Sequence, residues 1–318
     1  MSTAAAASAM RRWWQASRRG AAGGGLVLAA TLLLLLALVL PRVTLSLARP
    51  DAVIVFDITQ SMDVEDAQLD GAGVSRLAFA REAARRALRE LPCGARVGWA
   101  AFTEYRTLLL LAPIEVCENY DDLLATLAGI DGRIRWGNAS EVAKGVFWAV
   151  RAAKDLPSHP GLVFVTDGQE APPLNAFPSF DDVQPGQVRG WLVGVGGSVP
   201  QPIPRTDAEG RRIGYWRAGD VLQREAGDGG PRSHEHLSEL HEPHLRLLAQ
   251  RTGLGYAPLR DANALAALLR DPRLAHATPV PVDLRALPAA IALVLLALHF
   301  RPGAGRGRRG RHSRTSGT

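Results

Sequence analysis

The run Ala52-Val53-Ile54-Val55-Phe56-Asp57-Ile58-Thr59-Gln60-Ser61 decides the fold. Val53 to Phe56 are four consecutive bulky apolar residues, the pattern of a strand covered on both faces, since a strand with one wet face alternates instead. Such a strand is central in its sheet. Working outward, Leu77, Ala80, Ala84, Leu88 and Leu91 recur at helical spacing behind Ser75, a residue suited to N-capping. The apolar runs at 95–102 and 107–114, joined by Thr103-Glu104-Tyr105-Arg106, read as a β-hairpin. Helices are expected over 119–130, 140–153, 244–251 (stopped by Gly253) and 263–269, with further strands at 162–166, 190–195 and 255–259. This alternation predicts an α/β fold: an open, mostly parallel, doubly wound sheet with one antiparallel hairpin strand. Ligands of such sheets bind at the carboxyl ends of the central strands, where the strand order switches direction.

Polar residues stand at those ends. The first strand closes in Asp57-Ile58-Thr59-Gln60-Ser61 and a later one in Thr166-Asp167-Gly168. Alternate polar positions in a loop turn a carboxylate and two hydroxyls toward one point, and the second loop adds another carboxylate. Oxygen-only donors with two negative charges suit a hard cation such as Mg²⁺. Taken singly, Asp57 reads equally as a helix cap and Asp167-Gly168 as a turn; together, at two buried strand ends, they point to a site.

At these residues the chain resembles the von Willebrand factor A (vWA) domain and its metal-ion-dependent adhesion site, an Asp-x-Ser-x-Ser loop with a Thr and an Asp on two further loops. Asp57, Thr59 and Ser61 match the first loop, with Thr in place of the first Ser, and Asp167 matches the third. For the second loop Ser140, with the small Gly145 five positions on, fits the family register, and Asn138 is the alternative. The resemblance implies that Thr59, Ser61 and Ser140 coordinate Mg²⁺, or Mn²⁺ or Ca²⁺, through hydroxyls while the aspartates act largely through water. One position then stays open for a partner's carboxylate. It covers roughly residues 50–269. Ser61-Met62, Glu65-Asp66 and Ser75-Arg76-Leu77 look like the membrane-anchored bacterial vWA proteins encoded beside MoxR-type AAA+ ATPases. The cysteine hairpin, the stretch 137–145 and the insert 211–216 look more narrowly like the MxaL-type proteins of methanol dehydrogenase maturation.

The formal charge is +6, yet ten arginines sit in two acid-free tails, residues 1–23 and 301–318; without them the middle carries −4. That distribution argues against a nucleic-acid-binding fold and for a membrane topology signal. The 22 uncharged residues between Arg19 and Arg42 and the 15 between Arg285 and Arg301 predict transmembrane helices at 24–41 and 284–300, the second with its flanking arginines snorkelling. Trp13 and Trp14 suit an interfacial belt; Ser46-Leu47-Ala48 would serve as a processing site were the first segment a cleaved signal. Both basic tails then face the cytoplasm, with the vWA domain (50–270) in the periplasm and a linker at 271–283. Cys93 and Cys117 fit that compartment. Pairing centred on residue 105 makes the numbers of opposed residues sum to 210, as 93 and 117 do, which places the thiols within reach of a disulfide; buried free thiols are the alternative.

The expected function is therefore a membrane-anchored, metal-dependent protein-binding module without enzymatic activity. Its partners would be a client offering an acidic side chain and, by resemblance, other vWA proteins and a MoxR-type ATPase. The alternatives are a metal-dependent phosphohydrolase, for which Thr59 stands where a second carboxylate is wanted, and a metal-independent scaffold. His234, His236, His241 and His244 form a histidine cluster without ligand spacing, read as a solvated helix start. The sequon at Asn138 and the Arg18-Arg19 pair are set aside, and 200–230 reads as a rim hairpin or long loop.

Overall fold

The computed structural model describes residues 24–41, 43–174, 176–178, 183–221 and 234–300. The basic tails, Trp13, Trp14 and the Arg18-Arg19 pair lie outside the described residues. The chain divides into two compact units, one of residues Ser46–Pro279 and one of Met1–Leu45 with Val280–Thr318.

The main-sheet strands, in the larger unit except for the first three residues of β1 and the last three of β13, are β1 (Val43–Asp57), β4 (Arg96–Thr103), β5 (Arg106–Glu115), β6 (Gly161–Thr166), β7 (Gly190–Gly194), β12 (Gly255–Pro258) and β13 (Ala275–Val282). Three small ribbons pair β2 (Ala67–Leu69) with β3 (Ala72–Val74), β9 (Pro204–Thr206) with β10 (Arg212–Tyr215), and β8 (Gln201–Pro202) with β11 (Leu237–Ser238). The main sheet runs β12-β7-β6-β1-β4-β5, with β13 also pairing β1. All neighbours on that path are parallel except the β4–β5 hairpin. Because the chain builds β4 and β5 on one side of β1 and returns to build β6 on the other, the strand order switches beside β1. The crevice above Asp57 is therefore where such a sheet binds ligands.

Both faces of β1 are buried, as its apolar run requires. Ala52, Ile54 and Phe56 pack with Trp99 under α2 (Arg76–Glu90), α3 (Tyr120–Ala128) and α6 (Ala264–Leu269). Val53 and Val55 pack with Phe102 and Phe164 under α4 (Val142–Asp155) and α5 (Glu242–Thr252). Ser75 caps α2, its hydroxyl accepting from Ala78 N at 3.2 Å, and Gly253 at φ 76° ends α5 in the left-handed conformation that a residue without Cβ adopts freely. Pro113 is tolerated because β5 is an edge strand with no outer neighbour to receive an N–H.

The Cys93–Cys117 disulfide forms, with Cα atoms 5.3 Å apart. The expected register holds only at Trp99 and Leu111; it shifts on either side of that pair, where Gly98 lets Leu111 O come close. Two boundaries differ from expectation. β1 begins at Val43 rather than Ala52, so the Ser46-Leu47-Ala48 segment lies inside a strand, and the expected linker at 271–283 holds a 3₁₀ turn (Pro272–Leu274) and β13. His276, Thr278 and Val280 extend readily, and β1 offers them a pairing partner.

In the smaller unit helices form where the membrane segments were expected, α1 over 24–39 and α7 over Ala286–Phe300. Arg285 Nε donates to Leu40 O at 2.8 Å. Among the described residues no helix is long and apolar enough to cross a membrane. Both helices reach an edge of the described residues, at 24 and at 300. Many of their large apolar residues are exposed, among them Leu28, Leu35 and Leu38 on α1 and Leu287, Leu293 and Leu298 on α7, while Ala30, Ala37 and Ala292 are buried.

Candidate metal centre

Asp57 ends β1 with its side chain fully buried. Its Oδ1 accepts from Thr59 N at 2.9 Å and Thr59 Oγ1 at 2.6 Å, and its Oδ2 from Thr166 Oγ1 at 2.6 Å. Every one of these donors is neutral, and among the described residues no cation pairs with it. Burial, then repulsion from Asp167, push its pKa up to about 7 against the opposing pull of the Thr166 and Thr59 hydrogen bonds. A buried carboxylate in that state lacks a compensating positive charge.

Thr59 Oγ1 and Ser61 Oγ lie 3.1 Å apart. Adjacent ligands of an octahedral Mg²⁺ with bonds of about 2.1 Å are separated by about 3.0 Å, so this spacing fits two cis positions. Ser140 joins them on the wall of one cavity of about 370 Å³, which Asn138 also lines. Ser140 does not open a helix, as the sequence suggested: α4 starts at Val142, and Ser140 bridges Glu104 and Ala171, its hydroxyl donating to Gln169 O at 2.8 Å. The α4 N-terminus is met from another loop, where Glu170 Oε1 accepts from Ala143 N at 2.7 Å. Thr59, Ser61 and Ser140 thus all line one cavity, and Asp57 hydrogen-bonds the first of them without lining it.

Asp167 is held differently. Fully buried, it accepts from Gln169 N at Oδ1 (3.0 Å), and at Oδ2 from Arg76 Nη1 (2.8 Å) and Ser238 Oγ (3.0 Å). Arg76, also fully buried, forks onto Asp66 at 2.8 and 2.7 Å and donates to Ser238 Oγ at 2.6 Å. Burial works against ionisation of Asp66, but the Arg76 fork and the Gly197 N–H outweigh it and hold its pKa low. One guanidinium therefore ties the third loop to α2 and offsets part of the charge that Asp167 would present to an ion. Sequence reasoning missed Arg76, Asp66, Ser238 and Thr166. The signal for Arg76 was there: it shares the buried stripe of α2 with Ala80, Ala83 and Ala87, where an arginine needs an internal acid.

The other candidates do not converge. His244 bonds Glu170 at 3.0 Å, and the His234 and His236 rings are 6.1 Å apart. Among the described residues the one group of three carboxylate, histidine or cysteine side chains close enough for a metal is Cys93, Glu115 and Cys117, whose sulfurs are bonded to each other.

No protein-family model and no curated relative matches the chain. Solved structures with a similar chain path include an aerotolerance-related membrane protein from Bacteroides fragilis NCTC 9343 carrying multiple mutations to serine. It shares 17% identity over 70% of this chain and 97% of that one, with a TM-score of 0.48. The ArnB paralog VWA2 from Sulfolobus acidocaldarius follows at 15% identity, 72% and 46% coverage and 0.39. A von Willebrand factor type A protein from Catenulispora acidiphila gives 14%, 78% and 47%, and 0.38. At TM-scores under 0.5 these likenesses carry no functional argument.

Proposed function

We propose that the chain is a membrane-anchored vWA-type module that binds a protein partner through a divalent cation. Thr59, Ser61 and Ser140 would hold Mg²⁺, or Mn²⁺ or Ca²⁺, through their hydroxyls, with Asp57 and Asp167 acting through water. When bound, the ion supplies a Lewis-acidic position for a partner's carboxylate. The observation that carries this reading is Asp57: a fully buried carboxylate that no cation among the described residues pairs with, hydrogen-bonded to one of two hydroxyls that lie 3.1 Å apart and line a cavity. The protein's own part is to fix those hydroxyls, Thr59 through Asp57 and Ser140 through Gln169 O. Activity as a phosphohydrolase finds less support, because Asp57, the would-be nucleophile, is buried with both oxygens engaged.

Exposed apolar helices at 24–39 and Ala286–Phe300 support the anchor, and the arginine-rich tails support a cytoplasmic placement of both ends with a periplasmic domain. A role as accessory factor for an exported complex such as a methanol dehydrogenase, alongside other vWA proteins and a MoxR-type ATPase, rests on the sequence resemblance. Electron paramagnetic resonance of Mn²⁺ titrated into the full chain in detergent tests the site. Binding that Mg²⁺ displaces, and that Ser61→Ala with Thr59→Val abolishes, is the expected result; no binding by the unaltered chain removes metal from the account.

A further inference from the structure

Arg76 stands between two of the loops proposed to hold the ion. Its Nη1 reaches Ser61 O at 3.4 Å and donates to Asp167 Oδ2 at 2.8 Å, so one nitrogen touches both the first loop and the third. A guanidinium is not deprotonated in a protein, and this one is fully buried, away from the salt and water that screen exposed charges. A divalent ion held by the Ser61 hydroxyl would therefore sit near a permanent like charge. Taken alone, Arg76 opposes the ion twice, by direct repulsion and by drawing on the charge of Asp167.

Asp66 supplies the counterweight. Its two oxygens take Nε and Nη2 of the same guanidinium at 2.8 and 2.7 Å, the bidentate fork in which a carboxylate compensates an arginine best. Its pKa is held low by that fork and by Gly197 N, 2.9 Å from Oδ2, so it carries its charge at neutral pH. Asp66 does not line the cavity that Thr59, Ser61 and Ser140 line. Formally, Arg76, Asp66 and Asp167 present one net negative charge to an ion, and with Asp66 neutral they present none. Ser238 keeps the network in register, accepting from Arg76 Nη1 at 2.6 Å and donating to Asp167 Oδ2 at 3.0 Å.

We infer that Asp66 sets the strength of the cation site without touching the ion. It is a positioning residue that compensates Arg76 and so leaves the charge of Asp167 to the metal. The inference rests on the cation reading above. It also ties the ion to the segment that follows β7, because Gly197, at the start of that segment, shares Asp66 with Arg76.

The test is Mn²⁺ affinity of the full chain in detergent, read by electron paramagnetic resonance, with the melting temperature of each variant measured without divalent ion. Asp66→Asn keeps the shape and removes the charge, and should weaken Mn²⁺ binding about tenfold. Asp66→Glu, which keeps the charge, should stay within about threefold of the unaltered chain. Asp70→Asn removes the same charge from an exposed pair with Arg86 and should leave the affinity unchanged. Adding Arg76→Gln to Asp66→Asn removes the cation that Asp66 balanced and should return the affinity to at least that of the unaltered chain, whereas a merely structural role for Asp66 predicts a further loss from the second lesion. Arg76→Gln alone should bind Mn²⁺ more tightly than the unaltered chain, which decides the matter where Asp66→Asn does not fold. Unchanged affinity in Asp66→Asn, an equal loss in Asp70→Asn, no recovery in the double variant, or weaker binding by Arg76→Gln overturns the inference alone, provided the unaltered chain binds Mn²⁺; no binding by the unaltered chain overturns the cation reading beneath it.

Discussion

Arg76 Nη1 lies 2.8 Å from Asp167 Oδ2, with both side chains fully excluded from solvent. Asp66 accepts from Nε and Nη2 of the same guanidinium, so one cation serves two carboxylates, and a third, Asp57, is left with neutral donors. The structure thereby separates a carboxylate paired within the protein from one that needs charge from elsewhere. Removing one partner of a buried pair leaves an uncompensated charge and costs about 3–5 kcal/mol.

Arg76→Met is accordingly expected to destabilise the larger unit by about that amount. Because Asp167 then loses its internal cation, added Mg²⁺ should raise the melting temperature of the variant by more than it raises that of the unaltered protein. Differential scanning fluorimetry with and without Mg²⁺ measures both. An increment no larger in the variant would show that Arg76 and the ion do not share Asp167.

The raised pKa of Asp57, about 7 against 3.8 for an unperturbed aspartate, gives a pH dependence of definite sign. The fold holds the proton more tightly than the unfolded chain does. The stabilisation from that proton is complete below the unfolded value and is lost as pH rises through about 7. Without divalent ion the melting temperature should fall between about pH 4 and 7 and level off above. Asp57→Asn, which cannot ionise, should flatten this fall, and excess Mg²⁺ should reduce it by compensating the ionised carboxylate. An unaltered slope in Asp57→Asn would assign the titration to another group.

Gly145 sits on α4 where a Cβ would enter the Phe102 ring. Gly145→Ala should force α4 away from β4 and cost about 1–3 kcal/mol, read as a lower midpoint of urea unfolding. A midpoint unchanged from the parent would mean that the ring has room to move.

Breaking the Cys93–Cys117 bond, which closes a loop of 24 residues' separation, should cost about 3 kcal/mol. Cys93 precedes β4 at the end of the sheet opposite Asp57, so Mn²⁺ affinity of the reduced or doubly Ser-substituted protein should be unchanged. Titration of Mn²⁺ before and after reduction checks this, and a weakened site would tie the staple to the metal loops.

Much of the fold was legible because local periodicity encodes it. Val53 to Phe56 carry two-sided burial in their composition, and Ser75 and Gly253 mark helix ends through capping chemistry that acts within a few residues. Of the site, Asp57, Thr59 and Ser61 were legible since a single loop joins them. Ser140 was expected as a helix opener and instead bridges two loops, because its backbone pairs with Glu104 and Ala171 rather than with the next turn of α4. The hairpin register slipped on both sides of Trp99 because bulges are set by side-chain packing across the strands, which counting from the turn does not include.

By itself the sequence determined the alternation of strands and helices, the central strand, the opposed cysteines and the oxygen donors at two strand ends, each a matter of short-range pattern. Only the tertiary structure decided that Asp167 spends its charge on Arg76, 91 positions away, and that the indole N–H of Trp216 meets Gln60, 156 positions away. The reason is physical. A buried charge must find its partner wherever the packed chain brings one, and no local spacing specifies which residues meet once the sheet has folded.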